Sequence, residues 1–270
     1  MSTLPIGVFD SGIGGLTVLK ALMARLPAEN FVYLGDTARL PYGTKTAGTV
    51  ERYALQAVDE LTRRGVKAVV IACNTASAAA LPALKAAHPD LPVIGVIEPG
   101  AQAAVAATNS GRIAVLATEG TVRGGAYQRE ILKRLPGARV TAVPATLFVA
   151  LAEEGWIHGE VVTATARRYL APLLEHAETA PDVLVLGCTH FPPLAGVIQQ
   201  VAGPMRIVDS AVTTADALAQ LLSVRGLATA AADSGAVHCL VTDGEERFVR
   251  VGPVFLGRAI APAEVERVDL

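Results

Sequence analysis

The chain reads as an α/β protein of two similar lobes, each a mostly parallel sheet flanked by helices, related by a pseudo-twofold axis with a cleft between them. Two observations predict this. Short β-branched runs over residues 68–72 and 183–186 lack any alternation of apolar and polar side chains, which suits strands covered on both faces of a parallel sheet. Both runs also end alike, in Cys73-Asn74-Thr75 and in Cys188-Thr189-His190. Thiols, hydroxyls and an imidazole thus gather at carboxyl ends of strands, where open α/β sheets bind their ligands.

The bulk composition bounds the rest. At 270 residues the chain is at the upper edge of one domain and fits two lobes of ordinary size. It is 51% apolar and 18% charged, the balance of a compact globular protein. A net charge of -2 gives no footprint for nucleic acid or an anionic membrane as main partner. The uncharged stretch 68–84 is shorter than the ~20 apolar residues a bilayer requires, and it contains Asn74, Thr75, Ser77 and Pro82. With no basic-then-apolar start, a cytoplasmic location is expected. Three cysteines do not make a disulfide framework.

Taken in order, residues 5–10 form a first strand, Ser11-Gly12-Ile13-Gly14-Gly15 a glycine loop, and residues 16–26 a helix with Leu16, Leu19 and Leu22 on one face. Backbone N–H groups at such a helix start can seat a carboxylate or phosphate. The glycine spacing is not the dinucleotide fingerprint, which argues against a nicotinamide cofactor. Residues 30–34 are a second strand, followed by a polar, turn-rich loop through Tyr42 and Gly43. A helix over 50–64 leads to the first cysteine strand. Beyond Cys73 an alanine-rich helix starts, with Asn74 or Thr75 near its cap and Pro82 breaking or kinking it. Residues 93–96 form a fourth strand, closed by Ile97-Glu98-Pro99-Gly100.

The pattern then restarts. Residues 112–117 read as a strand, 118–121 as a loop, 122–135 as a helix, 140–143 as a strand, and 147–154 and 161–175 as helices before the second cysteine strand. Residues 206–208 lead into Asp209-Ser210, a cap for a helix over 213–224. An alanine-rich connector to Gly235, a strand over 237–242, an Asp243-Gly244 turn and a short helix over 246–251 follow. No third cysteine strand appears here, so this tail is expected to complete the first lobe. Residues 1–97 plus 209–270 then form the Cys73 lobe, and 98–208 the inserted Cys188 lobe.

Both paired thiols precede helices, whose N-termini favour a thiolate. Cys239, inside an apolar strand, reads as an inert packed residue. Cys73 and Cys188 lie in different lobes and are no Cys-x-x-Cys redox pair. The five scattered histidines offer no metal motif, so no metal is expected. No lysine stands at a strand end where pyridoxal phosphate would form its Schiff base, so no cofactor is expected either. One thiol on each wall of a cleft can take a proton from one face of a carbon acid and return one to the other, inverting a stereocentre. An unperturbed thiol of pKa ~8.5 is about a tenth ionised at about pH 7.5, so one can serve as base while its partner donates. Asp10 and His190 stand nearest by context to tune them.

Seven phrases, spread over most of the chain, carry a resemblance: IGVFDSGIGGLTVL (6–19), YLGDTARLPYG (33–43), ACNTASA (72–78), TEGTVRGGAY (118–127), LFVALAEEG (147–155), LGCTHFP (186–192) and VDS (208–210). In this order they resemble the glutamate racemase family, cofactor-independent enzymes of the aspartate/glutamate racemase superfamily that supply D-glutamate for peptidoglycan. The resemblance implies that Cys73 and Cys188 are the two acid/bases, with Asp10 assisting the first and His190 and Glu153 the second. It implies substrate contacts from Asp10, Ser11, Tyr42, Gly43, Asn74, Thr75, Thr118, Thr121, Thr189 and His190. Glutamate would be the small-molecule partner, and the alanine-rich helices suit a homodimer.

The chain departs from the family at Ala145-Thr146, where Cys-Pro is usual, and at Ala150 and Ala152, where Pro and Val are usual. That leaves open whether Glu153 or Glu154 faces the cleft. Three other activities stay open on the residues alone. An aspartate racemase would differ in substrate length, a Cys188-His190 hydrolase would not need Cys73, and a non-catalytic amino-acid-binding module would bind without exchange at Cα.

Overall fold

The computed structural model describes residues 3–230 and 234–270; of the alanine-rich connector, residues 231–233 lie outside the described residues. The chain opens with β1 (Ile6–Asp10), α1 (Leu16–Arg25), β2 (Phe31–Gly35), α2 (Ala47–Arg63), β3 (Ala68–Ile71), α3 (Asn74–Ala87), β4 (Val93–Gly95) and α4 (Ile97–Ala107). It continues through β5 (Arg112–Ala117), α5 (Glu119–Gly124), α6 (Ala126–Arg134), β6 (Arg139–Pro144), α7 (Leu147–Glu153), α8 (Glu160–Leu174), β7 (Val183–Gly187), α9 (Ala195–Ala202) and β8 (Arg206–Asp209). It closes with α10 (Ser210–Val224), β9 (Val237–Val241), α11 (Glu245–Val251), α12 (Pro253–Leu256) and β10 (Val265–Arg267).

These strands build two parallel sheets, one ordered β10-β9-β2-β1-β3-β4 and the other β6-β5-β7-β8. The four strands β2-β1-β3-β4 at one end of the first sheet repeat the order of the second: second strand, first, third, fourth. In both sheets the third strand is the one that ends in a paired cysteine. β1, β3 and β7 are buried along their whole length, as strands covered by helices on both faces must be. One continuous core joins the sheets, from Ile6 and Val8 through Ala101 and Ala104 to Val115 and Val185, while a second core under Phe9, Val69 and Ile71 holds α2 and α3. No described helix is long and apolar enough to cross a membrane.

Several local expectations are corrected. Pro82 does not end its helix; α3 runs through it to Ala87, with the buried stripe of Ala76, Ala80 and Leu84 continuing on both sides. Its cap is Cys73 itself rather than Asn74 or Thr75. Ile97-Glu98-Pro99-Gly100 is no turn but the first turn of α4, where a proline costs nothing because that N–H has no intrahelical partner. The loop expected over 118–121 is mostly helix, capped at Thr118. The single helix expected after it is split at Gly125, whose φ of 62° sits in the left-handed region. Strand β10 and helices α9 and α12 have no counterpart in the sequence reading.

Candidate active site

Strand β3 delivers Cys73 to the start of α3, where its Sγ accepts the Ala76 N–H at 3.4 Å and donates to Ser11 Oγ at 3.4 Å. The helix terminus and the Ser11 hydroxyl favour a thiolate, but burial and the Asp10 charge outweigh them and push the thiol up to about 12. Cys73 therefore stands as a thiol in the unliganded protein. Asp10, fully buried at the end of β1, accepts the Gly12 N–H at 2.9 Å and the Thr189 hydroxyl at 3.4 Å. Burial raises its carboxyl, against the charge of His190 and the N–H groups of Gly15 and Gly12.

Strand β7 ends next to Cys188, but a turn and a 3-10 segment over Pro192–Leu194 separate this thiol from α9. Unlike Cys73 it caps no helix, so the expectation that both thiols sit at helix starts holds only for Cys73. His190 lies two residues beyond Cys188. The imidazole places Nδ1 3.9 Å from Cys188 Sγ and Nε2 3.0 Å from Glu153 Oε1 on α7. Burial would strip the proton from His190, but its bonds to Cys188 and Glu153 prevail and raise it to about 10, so Cys188 has an imidazolium neighbour. Burial alone would likewise raise Glu153, yet the bonds and charges of His190 and Arg247 hold its carboxyl below the ordinary value. Glu153 is the carboxylate that turns inward, with its side chain 12% exposed, whereas Glu154 is 64% exposed. Ala145 and Ala152, at the departures from the family pattern, are fully buried.

Between the thiols lies a narrow cavity of about 30 Å³. Its walls are Ser11 and Gly12 from the glycine loop, Leu40 to Gly43 from the turn-rich loop, Cys73 to Thr75, Thr118, Val149 and Glu153, and Cys188 to His190. The hydroxyls of Thr75, Thr118 and Thr121 form a closed triangle with edges of 3.0, 3.1 and 3.1 Å. Tyr42, in this wall, bonds through its hydroxyl to the buried Asp36, which Arg39 also contacts at 2.7 Å. Asn74 Oδ1 accepts from Tyr127 at 2.8 Å, and Asn74 Nδ2 is buried with no protein acceptor among the described residues.

Of the residues singled out in the sequence, Ser11, Tyr42, Gly43, Cys73, Asn74, Thr75, Thr118, Glu153, Cys188, Thr189 and His190 line this one cavity. Asp10 and Thr121 stand just behind the wall, acting on it through Thr189 and the threonine triangle. Cys239 is away from it, packed in β9 with its thiol pushed up to about 12 by burial and the Glu264 charge. Sequence reasoning missed Tyr127, although it closes a quoted phrase, and it missed Arg247, which comes from the tail and carries no local signal.

Residues 6–218 match the family model described as Asp/Glu/hydantoin racemase. A glutamate racemase from Geobacter metallireducens is 49% identical over 93% of this chain and 92% of its own length. One from Neisseria meningitidis serogroup A is 46% identical over 98% of this chain and 97% of its own. The crystal structure of glutamate racemase from Francisella tularensis in complex with D-glutamate superposes with a TM-score of 0.92 at 36% identity, covering 100% of this chain and 98% of that one. Two cysteine-ended parallel sheets about one cavity, and this likeness along nearly the whole length, show that the chain belongs to the Asp/Glu/hydantoin racemase family, among its glutamate racemases.

Proposed function

We propose that this isomerase interconverts L- and D-glutamate with two thiols, without a cofactor, and so supplies D-glutamate for peptidoglycan. The observation that carries the mechanism is the placing of Cys73 and Cys188 on one cavity, at the ends of strands from two different sheets. One sulfur, as thiolate, takes the Cα hydrogen as a proton. The electron pair of that C–H bond stays on the substrate, spread into its α-carboxylate, and the other S–H delivers a proton to the opposite face. The thiols exchange protonation states in each turnover.

His190 holds its proton with Nδ1 3.9 Å from Cys188 Sγ, within reach to exchange a proton with it, while the protonated Cys73 is ready to donate. For the reverse direction Cys73 must ionise, and the α-ammonium of bound glutamate supplies the positive charge that this buried sulfur otherwise lacks. Asn74 Nδ2 offers an uncommitted donor to a substrate carboxylate, and the Thr75, Thr118 and Thr121 hydroxyls can turn from one another toward it, at ~1.5–3 kcal/mol for each charge-assisted bond. A space of about 30 Å³ is close to one water's share and too small for glutamate, so the walls part to admit it. The sheet memberships support residues 1–97 plus 209–270 as one lobe and 98–208 as the other. We assign the protein to the cytoplasm as a homodimer.

The test is isotope exchange. In deuterium oxide and without additives, the purified protein is expected to turn L-glutamate into D-glutamate with deuterium at Cα, and to leave aspartate unchanged. Full racemisation by Cys73→Ala would overturn the two-thiol mechanism.

A further inference from the structure

Helix α11 follows β9 of the six-stranded sheet, and α7 follows β6 of the four-stranded one. Between them Arg247 Nη2 lies 3.2 Å from Glu153 Oε2, while the other oxygen of the same carboxylate, Oε1, meets His190 Nε2 at 3.0 Å. We propose that Arg247 is a positioning residue for the Cys188 half of the reaction, reaching across the cleft to lock Glu153 and, through it, the imidazole of His190. This rests on the two-thiol reading given above.

A carboxylate held by one oxygen still rotates about its terminal torsion, which is broad and soft; one held by both does not. Arg247 removes that freedom, and the ring of His190 then keeps Nδ1 directed at Cys188. The anchor is firm at its own end. Phe248, next in sequence, is fully buried with its ring 5.9 Å from that of Tyr33, in the strand beside β9. Because the pair joins elements of the two sheets, it forms only when the cleft walls are together, so closing on substrate and aligning the imidazole become one event.

The charged groups about this chain of contacts are few. His190 faces Cys188, Asp10 and Glu153; Glu153 faces His190 and Arg247; and the exposed Glu154 lies 3.9 Å from Arg247 on the solvent side. Arg247 helps to keep Glu153 ionised, so its loss moves the acid limb of the kcat profile to higher pH.

Steady-state kinetics in both directions test this with Arg247→Gln, Arg247→Lys and Glu154→Gln. The glutamine variant is expected to lose about tenfold in kcat with KM changed by less than about twofold, and to show the raised acid limb. The lysine variant should recover most of kcat and return the limb toward its wild-type place, and Glu154→Gln should match wild type. Wild-type kcat and an unmoved limb in Arg247→Gln would overturn the proposal, and so would a lysine variant no better than glutamine. Where the glutamine variant does not fold, Arg247→Met, which keeps the apolar stem, repeats the measurement. Failure of the wild-type protein to racemise glutamate would instead overturn the reading of the site.

Discussion

Tyr127 donates its phenolic hydrogen to Asn74 Oδ1 at 2.8 Å and thereby leaves the Asn74 Nδ2 group as a buried donor on the wall between the thiols. A buried donor without a partner costs about 1–3 kcal/mol, which a substrate carboxylate would return on binding. The tyrosine sets which way the amide faces, and it is itself buried and bonded to Ser210 at the start of α10. Tyr127→Phe frees the amide to turn. KM for glutamate is expected to rise about five- to tenfold with kcat within about twofold, since ground state and transition state lose the same contact. An unchanged KM would sink this role for the pair.

His190 is testable through a constraint peculiar to this reaction. The two forms of glutamate are mirror images of equal free energy, so kcat/KM must be the same in both directions for the wild type and for every variant. His190→Asn is therefore expected to lower both by a common factor of about a hundred. Any asymmetry must appear elsewhere: the α-deuterium isotope effect should grow most in the direction in which Cys188 takes the proton. Because His190 keeps its proton up to about 10, kcat should fall as pH rises through that region, and the asparagine variant should lack that limb. A persisting limb would show that another group sets it.

Gly14 lies too close to the imidazole to carry a side chain. A Cβ there would sit 2.4 Å from His190 Nδ1 and 2.5 Å from Thr189 Oγ1. Gly14→Ala must displace both groups, and kcat/KM is expected to drop about a hundredfold. Gly48→Ala is the control, since a Cβ at that helical position meets nothing within 4 Å. It should leave activity intact and add about 0.5–1 kcal/mol of stability, read from denaturant unfolding. Equal activity in the two variants would remove the steric account of the glycine loop.

How much of this was legible in the sequence follows from how local each signal is. The strands ending in Cys73 and Cys188 declare themselves by unbroken apolar runs, and the loops beside them by glycine and hydroxyl residues. Helix α4 was hidden because its proline sits in the first turn, where the sequence rule for helix breakers does not hold. Cys73 as cap of its own helix was missed because a thiol is an uncommon cap. Arg247 and Tyr127 were missed for a different reason, as was the bond of Ser210 to Tyr127: each acts on a residue far along the chain, through a fold that no spacing rule encodes. The family resemblance supplied Glu153, and the geometry then distinguished it from Glu154 through the bond to His190.

The order of strands β2-β1-β3-β4 recurs as β6-β5-β7-β8, but β9, β10 and α11 are added on one side alone. A polypeptide is itself handed, so its complexes with two enantiomers are diastereomers; the repeated half brings a second thiol to the other face without erasing that difference. Although equal in free solution, the two enantiomers are unequal guests. One will be held more tightly than the other, and at rest in an equal mixture the enzyme will carry mostly that one.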